Sequence, residues 1–325
     1  MRQVRHTFLL VLLLVLAIPA LPVAAQNWPV RPVRLIVPFA PGGSSDVAAR
    51  VFGQKLSERL GQQVVIDNRS SAGGVVGADM LARATPDGYT IGLSNVSSHT
   101  ASPLIFTNVT YHPVTSFTHI AFIGTVPVVF MVHPNHPARS VAEFVRIAKE
   151  SPGKIDYGSA GNGTVGHVVA EMFKLNAGVN LNHVPYRGSA FMFVDLRSNA
   201  IPSAFDALAQ NTESIKAGLV RALAVSAQTR VRMAPDIPTF VELGFPELVG
   251  ENWLGISGPA GVPRDIVERL HREMMLIAKD PEIAGRLERL AITHQPLSPA
   301  EFTDYVAKGY ARWGPVIKAA RITVN

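Results

Sequence analysis

The sequence predicts an α/β protein of two lobes, each a mainly parallel sheet flanked by helices, with a ligand cleft at the hinge between them. Short β-branched runs alternate with longer amphipathic stretches, which is typical of parallel βαβ units. The length of 325 residues fits about two domains, and 47% hydrophobic residues can build a core in each. The strand series begins again at Val128, so a second sheet is expected there.

The first series of elements begins at Val33. Residues 46–60 are predicted to form a helix because their apolar side chains recur on one face and Gly61 follows as a stop signal. The predicted strands of this series are residues 33–38, 64–67 and 89–94, and its helices are residues 46–60 and 75–84.

The second series opens with a strand at residues 128–132. Ser140 and Glu143 form a capping box at the start of the next helix, and Ser298 and Glu301 do the same for the last helix. The other predicted strands are residues 154–158, 181–185, 201–205, 221–226 and 253–257, and the other helices are residues 140–149, 164–176, 190–197, 264–279, 281–290 and 300–320.

The order of these elements predicts an inserted domain. Residues 26–126 and 251–325 make domain 1, and residues 127–250 make domain 2, with a sheet of its own. Two chain crossings between the domains would form a hinge. A ligand is therefore expected in the cleft between them.

The composition excludes several function classes. Charged residues make up 17% of the chain and are well mixed, with a formal net charge of +6 and no run of basic residues that would indicate nucleic-acid binding. The absence of cysteine excludes disulfides, thiol nucleophiles, iron–sulfur clusters and thiolate zinc sites. We expect no cofactor and no metal. The pI near 9.7 is compatible with small anionic ligands.

The first 25 residues have the pattern of a secretory signal peptide. Arg2 and Arg5 form a positive segment, residues 8–18 are almost all apolar, and small residues precede Gln26. A membrane anchor is the alternative, but an apolar stretch of about 11 residues is shorter than the roughly 20 that span a bilayer. The sequence therefore predicts cleavage of residues 1–25 and a mature protein in the periplasm.

A glycine-rich turn follows the first predicted strand and precedes a helix. The candidate ligand-binding residues in this turn are Phe39, Ala40, Gly42, Gly43 and Ser44. Exposed amides in such a turn, together with the positive end of the helix dipole, favour an anion. The alternative is a plain tight turn in which Asp46 satisfies those amides itself.

A second glycine-rich turn between a strand and a helix occurs in the second series. Its candidate ligand-binding residues are Ser159, Ala160, Gly161 and Thr164. Its glycines match the dinucleotide-binding pattern G-x-G-x-x-G between a strand and a helix. However, residues 179–186 contain no Asp or Glu to hold a ribose. A small carboxylate received by amides and hydroxyls is the simpler prediction.

Other polar residues follow predicted strand ends. Asn95, Ser97 and Ser98 offer side-chain donors or form an ordinary polar turn. Asp206 lies where open α/β sheets bind ligands, or it fixes a neighbouring loop. His167, one turn into its helix, either contacts the ligand or has a capping or core role.

The sequence gives less support to a catalytic function. Ser159, Asp206 and His271 occur in the chain order of an α/β-hydrolase triad, but no G-x-S-x-G elbow surrounds any serine. His133 and His136 are too close together, on a proline-rich turn, for H-E-x-x-H zinc chemistry. We interpret them as part of a surface loop.

Ordered motifs along essentially the whole mature chain resemble those of the tripartite tricarboxylate transporter receptor family, also called the Bug family of periplasmic solute-binding proteins. These motifs are Trp28-Pro29, Arg31-Pro32, Val37-Pro38-Phe39-Ala40-Pro41-Gly42-Gly43 with Asp46 and Ala49-Arg50, Ala84-Thr85-Pro86-Asp87-Gly88-Tyr89, Tyr157-Gly158-Ser159-Ala160-Gly161-Asn162-Gly163, His183-Val184-Pro185-Tyr186-Arg187-Gly188, Arg221-Ala222-Leu223-Ala224-Val225, Pro238-Thr239, Glu242-Leu243-Gly244 and Gly258-Pro259-Ala260-Gly261-Val262-Pro263.

The resemblance implies a two-lobed, type II periplasmic-binding-protein fold that closes on a small carboxylate. It implies ligand loops at residues 39–44 and 159–164, with one carboxylate held by backbone amides and ordered waters. The implied ligand is a dicarboxylate, a tricarboxylate, an amino acid or an aromatic acid, and the implied partner is a membrane permease of the tripartite type. We expect a monomer. The alternatives are a receptor for a sensor kinase and a secreted hydrolase.

The sequence departs from the family pattern at three places. Phe191-Met192-Phe193 is bulkier than the usual small residues, and residues 198–201 replace a glycine-rich turn. Ala207 follows Asp206 where a polar residue is frequent. The far end of the ligand pocket is therefore expected to differ from that of relatives.

Overall fold

The structure is a computed structural model that describes residues 28–319, without the side chains of residues 44, 72 and 316. The predicted signal peptide therefore lies outside the described residues. The strands, in chain order, are β1 Val33–Val37, β2 Val64–Asn68, β3 Thr90–Asn95, β4 Phe117–Val132, β5 Asp156–Ser159, β6 Asn182–Pro185, β7 Ser203–Ala207, β8 Arg221–Val225 and β9 Glu251–Pro259.

The helices alternate with these strands, as the sequence pattern predicts. They are α1 Ser44–Leu60, α2 Val75–Ala82, α3 Ser102–Ile105, α4 Val141–Glu150, α5 Val165–Ala177, α6 Ser189–Arg197, α7 Leu208–Lys216, α8 Arg264–Ala278, α9 Pro281–Arg289 and α10 Pro299–Ala319. A short π-helix, Ser97–Ala101, leads into α3.

The strands of the described chain form one continuous mixed sheet in the order β2-β1-β3-β9-β4-β7-β5-β6, and β8 also pairs with β4. At one end β1 pairs in parallel with β2 and β3, and at the other end β5 pairs in parallel with β6 and β7. The middle is antiparallel, because β9 and β4 run against their neighbours. Each half therefore has a parallel outer part that is joined to the other half through β4 and β9.

Strand β4 is longer than the predicted strand at residues 128–132 and does not belong to a separate sheet. It pairs with β9 from Phe117 to Pro127 and then with β7 and β8 from Val128 to Val132. The sequence pattern hides the first part because two register shifts interrupt its alternation, one of them ending at Gly124. The inserted segment is thus tied to the outer one by a single unbroken strand.

Helix α7 and the π-helix were not predicted, and neither was the four-residue α3. Helix α7 contains polar Gln210, Asn211 and Thr212 in its first turns, and these residues weaken its helical periodicity. The π-helix Ser97–Ala101 consists mainly of buried polar residues and has no apolar face. Helix α7 and the π-helix both follow a strand end and come next to the cleft.

Aromatic side chains hold the sheet and its helices together. Phe130 on β4 stacks on Phe205 of β7, with ring centroids 4.3 Å apart. Phe302 on α10 packs edge-on against Phe122 of β4 and against Trp253 of β9. The core therefore continues across the junction of the two halves. Within residues 28–319, no helix is both long and apolar enough to cross a bilayer.

Candidate functional site

A cavity of about 810 Å³ lies where the loop after β1 and the loop after β5 face each other. Residues of both halves of the molecule line it. The outer half contributes Phe39, Ala40, Pro41, Gly42, Gly43, Ser45, Ser70, Ser71, Gly73, Asn95, Ser97 and Asn252, and the inserted half contributes Ala160, Gly161, Asn162, Thr164, Val165, Gly166, Pro185, Tyr186, Arg187, Gly188, Ser189, Ala190, Phe191, Phe193, Asp206, Ala207, Gln210 and Asn211.

The first glycine loop is shaped by a buried carboxylate. The Gly42 N–H donates to Asp46 Oδ2 at 3.0 Å, and Arg50 Nε donates to the same oxygen at 2.9 Å. Asn68 Nδ2 donates both to Asp46 Oδ1 and to the Phe39 carbonyl. Burial alone would raise the pKa of Asp46, but Arg50, Gly42 and Asn68 together lower it below its usual value. Asp46 therefore stays ionised and fixes the loop.

Gly43 is the residue before the first turn of α1, and no side chain caps it. Gly42 has φ +85°, a left-handed conformation that favours glycine. Asp46 accepts the hydrogen bond of the Gly42 N–H. For this one donor, the alternative in which Asp46 binds the amides of the turn is therefore correct. The start of α1 nevertheless opens onto the cavity through Gly43 and Ser45. This end of the helix favours a negative charge.

The second glycine loop is held by hydroxyl groups. Thr164 Oγ1 donates to the Gly161 carbonyl at 2.8 Å. Ser159 Oγ donates to the same carbonyl at 3.2 Å and accepts from the Gly161 N–H at 3.2 Å. The Gly163 N–H donates to His167 Nδ1 at 3.2 Å. These bonds set the path of the loop that precedes the start of α5.

Close packing accounts for the glycine spacing of this loop without a nucleotide. A Cβ on Gly161 would come 2.8 Å from the Tyr186 carbonyl oxygen, and one on Gly166 would come 2.3 Å from the Phe205 carbonyl oxygen. Gly161 also has φ +136°. Glycine is therefore needed where α5 and its loop press against β7 and the chain after β6.

Three stacked rings lie behind the second loop. The rings of His167 and His183 are 4.0 Å apart, and the His183 ring stacks on Tyr157 at 4.9 Å. His183 Nε2 is 2.7 Å from Ser159 Oγ. Burial lowers the pKa of His167 to about 4 and that of His183 to about 3, so both rings are neutral near pH 7.

Asp206 is the residue before the last one of β7 and lies at the cavity wall with 4% of its surface exposed. It accepts hydrogen bonds from Ser189 Oγ at 2.9 Å, Gln210 Nε2 at 2.6 Å and Asn211 Nδ2 at 3.0 Å. Burial raises its pKa, although those three donors oppose the effect. The carboxyl group thus ties the starts of α6 and α7 together.

Asparagine side chains line the cavity near the junction of the two halves. Asn95 is buried and reaches Ser45 Oγ at 3.3 Å, and its Oδ1 accepts from Ser98. Asn252 on β9 is 5% exposed, and its Oδ1 has no hydrogen-bond partner in the described part of the chain. A buried amide oxygen without a partner is costly, so it is a natural acceptor for a ligand group that donates a hydrogen bond, such as a hydroxyl.

Most of the predicted site residues come together in this cavity. Ser159 and His167 do not line it: they lie behind the second loop and hold it. The side chain of Ser44 lies outside the described atoms. Those that line the cavity are Phe39, Ala40, Gly42, Gly43, Asn95, Ser97, Ala160, Gly161, Thr164 and Asp206.

The hydrolase triad does not form. Ser159 bonds to His183, whereas His271 Nδ1 bonds to the Ile120 carbonyl on the outer half of the molecule. The amides of Asn135 and Ala138 bond back to His133 and His136 within their turn. Among residues 28–319, no three His, Asp or Glu side chains are grouped to hold a metal ion.

The sequence pointed to residues 191–193 at the far end of the pocket, but the rest of the wall, residues 185–190, and the polar groups of α7 were not predicted as cavity residues. Asn252, which comes directly before a predicted strand, was not predicted either. The available signal was position: like Asn95, these residues follow or precede strand ends that meet at the cleft. Of the described residues that line the cavity, only Arg187 and Asp206 are charged.

The chain is similar to known proteins over most of its length. Residues 48–322 match the model of the tripartite tricarboxylate transporter family receptor. The protein BugT of Bordetella pertussis is 32% identical over 92% of this chain and 92% of its own.

Two solved structures from relatives hold carboxylates. An R. palustris protein with adipate is 33% identical, covers 91% of this chain and 100% of its own, and gives a TM-score of 0.87. MatC from Rhodopseudomonas palustris with bound malate is 27% identical, covers 89% of this chain and 100% of its own, and gives a TM-score of 0.84. These likenesses confirm the predicted two-lobed α/β fold.

Proposed function

Because the chain belongs to the tripartite tricarboxylate transporter receptor family, we propose that it captures a small carboxylate by lobe closure and delivers it to a tripartite-type permease. Members and structural neighbours are substrate-binding proteins of the periplasm and not enzymes. The chain is accordingly a binding protein.

One observation carries this proposal: the two glycine loops line a single cavity, and α1 and α5 both begin at it. Each helix start offers amide donors and the positive end of a dipole. One carboxylate placed between them would accept hydrogen bonds from both halves of the molecule. Thr164 and Asn252 also line the cavity, and Thr164 Oγ1 donates to the Gly161 carbonyl and so shapes the second loop.

The expected affinity follows from the number of donors. A hydrogen bond to a charged group contributes roughly 1.5–3 kcal/mol, so four or five bonds can offset the cost of ordering the ligand. We therefore expect a micromolar dissociation constant, which corresponds to a binding free energy of about −8 kcal/mol. No covalent step is required.

The relatives support the ligand class. Adipate and malate, found in two structural neighbours, share a carboxylate but differ in length and polarity. We carry over to this chain only the shared group. The far end of the cavity, at residues 191–193, is considered below.

Closure needs two bodies and a hinge. The predicted division into residues 26–126 with 251–325, and residues 127–250, coincides with the point where β4 changes partner, between Pro127 and Val128. We propose that β4 and β9 twist there as the lobes close. Secretion to the periplasm would use the signal peptide predicted at residues 1–25.

A thermal-shift screen of the mature protein against carboxylates tests the function, with neutral sugars and nucleotides as the comparison set. We expect one or a few acids to raise the melting temperature. Gly43→Glu should weaken binding at least tenfold by placing a negative charge at the anion site, and Gly43→Gln should weaken it less. Thr164→Ala should weaken binding because the second loop loses a hydrogen bond to Gly161.

The Gly43 pair separates charge from size. A Cβ on Gly43 has only the Ala40 carbonyl oxygen within 4 Å, and its φ is −78°, so both variants should fold. If the glutamine variant lost as much affinity as the glutamate variant, or if only sugars or nucleotides stabilised the protein, the carboxylate site would be wrong.

A further inference from the structure

The cavity wall formed by α6 carries two large aromatic side chains. Phe191 lines the cavity with 63% of its surface exposed, and the partly buried Phe193 lines it two residues further on. A large apolar side chain left in water at the edge of a cavity indicates a surface that is covered when the protein works.

The helix presents these rings from a rigid base. Met192, between the two phenylalanines, is fully buried, and Leu196 one turn later is buried as well. Ser189 at the first turn is bonded to Asp206. The position of Phe191 is therefore set by its helix and not by a mobile loop.

Polar groups on the same wall are already engaged. Asp206 accepts three hydrogen bonds from side chains, and the Tyr186 hydroxyl donates to Asp195 at 2.6 Å. A ligand rich in hydroxyl groups would find few free partners along this side. Arg187 adds positive charge at the wall, which attracts any carboxylate and does not choose among them.

We propose that Phe191 and Phe193 form an apolar platform that selects carboxylates with an aromatic or aliphatic body over compact hydroxy acids. This inference rests on the proposed function, since the carboxylate is taken to lie at the glycine loops. The body of the ligand would then lie against α6, and its contact would cover rings that otherwise face water.

The test uses the full mature protein and four probes: benzoate and adipate have apolar bodies, whereas malate and citrate are compact hydroxy acids. Titration calorimetry should find benzoate or adipate bound at least tenfold more tightly than malate and citrate. Phe191→Ala should weaken the binding of that more tightly bound apolar acid about tenfold. The same variant should change malate binding less than twofold.

Val194→Ala is the matched control. Val194 lies on the same helix and is 64% exposed, but it does not line the cavity. It should leave all affinities unchanged. Both residues are exposed, so neither variant should lower the melting temperature appreciably, and a loss of binding would not come from unfolding.

Tighter binding of malate or citrate than of both apolar acids would overturn the platform but leave the carboxylate receptor intact. The platform would also be overturned if Phe191→Ala lost no more affinity for the apolar acid than Val194→Ala. If no carboxylate of either kind bound, the proposed function itself would fall. The two failures are thus distinct.

Discussion

At the scale of single residues, both glycine loops line the cavity, and in the first of them the Gly42 amide is already bound by Asp46. A strand, a glycine-rich turn and a helix start are visible in the sequence, and the amides of such a turn need no particular side chain. The sequence also allowed an alternative in which Asp46 accepts hydrogen bonds from the amides of the first loop. The Gly42 N–H does donate to Asp46. Which side chains face the cavity depends on distant packing.

Ser159 and His167 illustrate that limit. Both are polar and lie beside the second glycine loop, so the sequence offered Ser159 as a ligand contact and left His167 open between a ligand contact and a capping or core role. The structure instead uses them as loop supports, because His183, which comes from β6, lies behind the loop and engages the Ser159 hydroxyl. No local pattern around residue 159 predicts that neighbour.

Asn252 yields a prediction at this scale. Its Oδ1 has no partner within the described residues, so Asn252→Ala should leave the ligand-free melting temperature unchanged or higher. Because an amide oxygen only accepts hydrogen bonds, the same variant should weaken binding by up to about tenfold for an acid that carries a hydroxyl donor, such as malate, and by less than about twofold for adipate. Differential scanning fluorimetry with and without ligand measures both.

Asn211→Ala serves as the contrast. Asn211 donates to Asp206 and to the Ala207 carbonyl, so its loss should lower the ligand-free stability by about 1–3 kcal/mol. Equal destabilisation of the two variants would show that the Asn252 amide is not reserved for a ligand.

At the scale of elements, most helices and strands followed from periodicity and stop signals. Helix α1 ends at Leu60 with Gly61 in the left-handed conformation, as the glycine at that position predicts. Strand β4 and helix α7 were misjudged for physical reasons: bulges break the alternation of β4, and polar residues open α7. Both depend on pairing and packing with segments far along the chain.

A pair of glycine variants tests how tightly α5 packs against β7. Gly166→Ala would bring a Cβ to 2.3 Å from the Phe205 carbonyl oxygen, so we expect a loss of about 1–3 kcal/mol in unfolding free energy. Carboxylate affinity should fall too, because the start of α5 would move. Chemical denaturation and titration of the variant measure these effects.

Gly285→Ala on α9 is the control. Its Cβ would meet only the flexible end of Arg289, at 3.6 Å, so removing glycine from the helix should be neutral or stabilise it by up to about 1 kcal/mol. If both variants changed the unfolding free energy in the same direction, close packing of α5 on β7 would not be the cause of the loss in Gly166→Ala.

At the scale of the whole molecule, the two-lobed α/β fold was predictable, whereas its continuous mixed sheet was not. The pattern of parallel units covers the outer parts of the sheet, where β1 and β5 lie. The junction is antiparallel and depends on β9, which returns from the far end of the sequence. Local periodicity does not show the direction in which such a strand runs.

Buried histidines give the whole molecule an acid sensitivity. Burial lowers the pKa of five histidines in the two halves of the molecule: His99, His119, His136, His167 and His183. In the unfolded chain these groups take up protons near pH 6.5. The unfolded state therefore binds more protons below that pH, and stability should fall as the pH drops from about 6.5 towards 4.

Calorimetric melting between pH 7.5 and 5.5 checks this. We expect the melting temperature to decline steadily, with unfolding at pH 5.5 taking up about three protons more than at pH 7.5. His167→Asn should reduce that uptake by about one proton. A melting temperature that stayed level over this range would mean that these rings are already charged in the folded protein.

The separation of the glycine loops from α6 has a consequence for how such receptors diversify. In the proposed complex, the groups that hold the ligand's carboxylate are backbone amides, which no side-chain substitution removes. The rings proposed to face the rest of the ligand lie on one short helix, which Met192 and Leu196 anchor in the core. Replacing a few outward residues of that helix would retune the choice of nutrient while the grip on the carboxylate stays as it is.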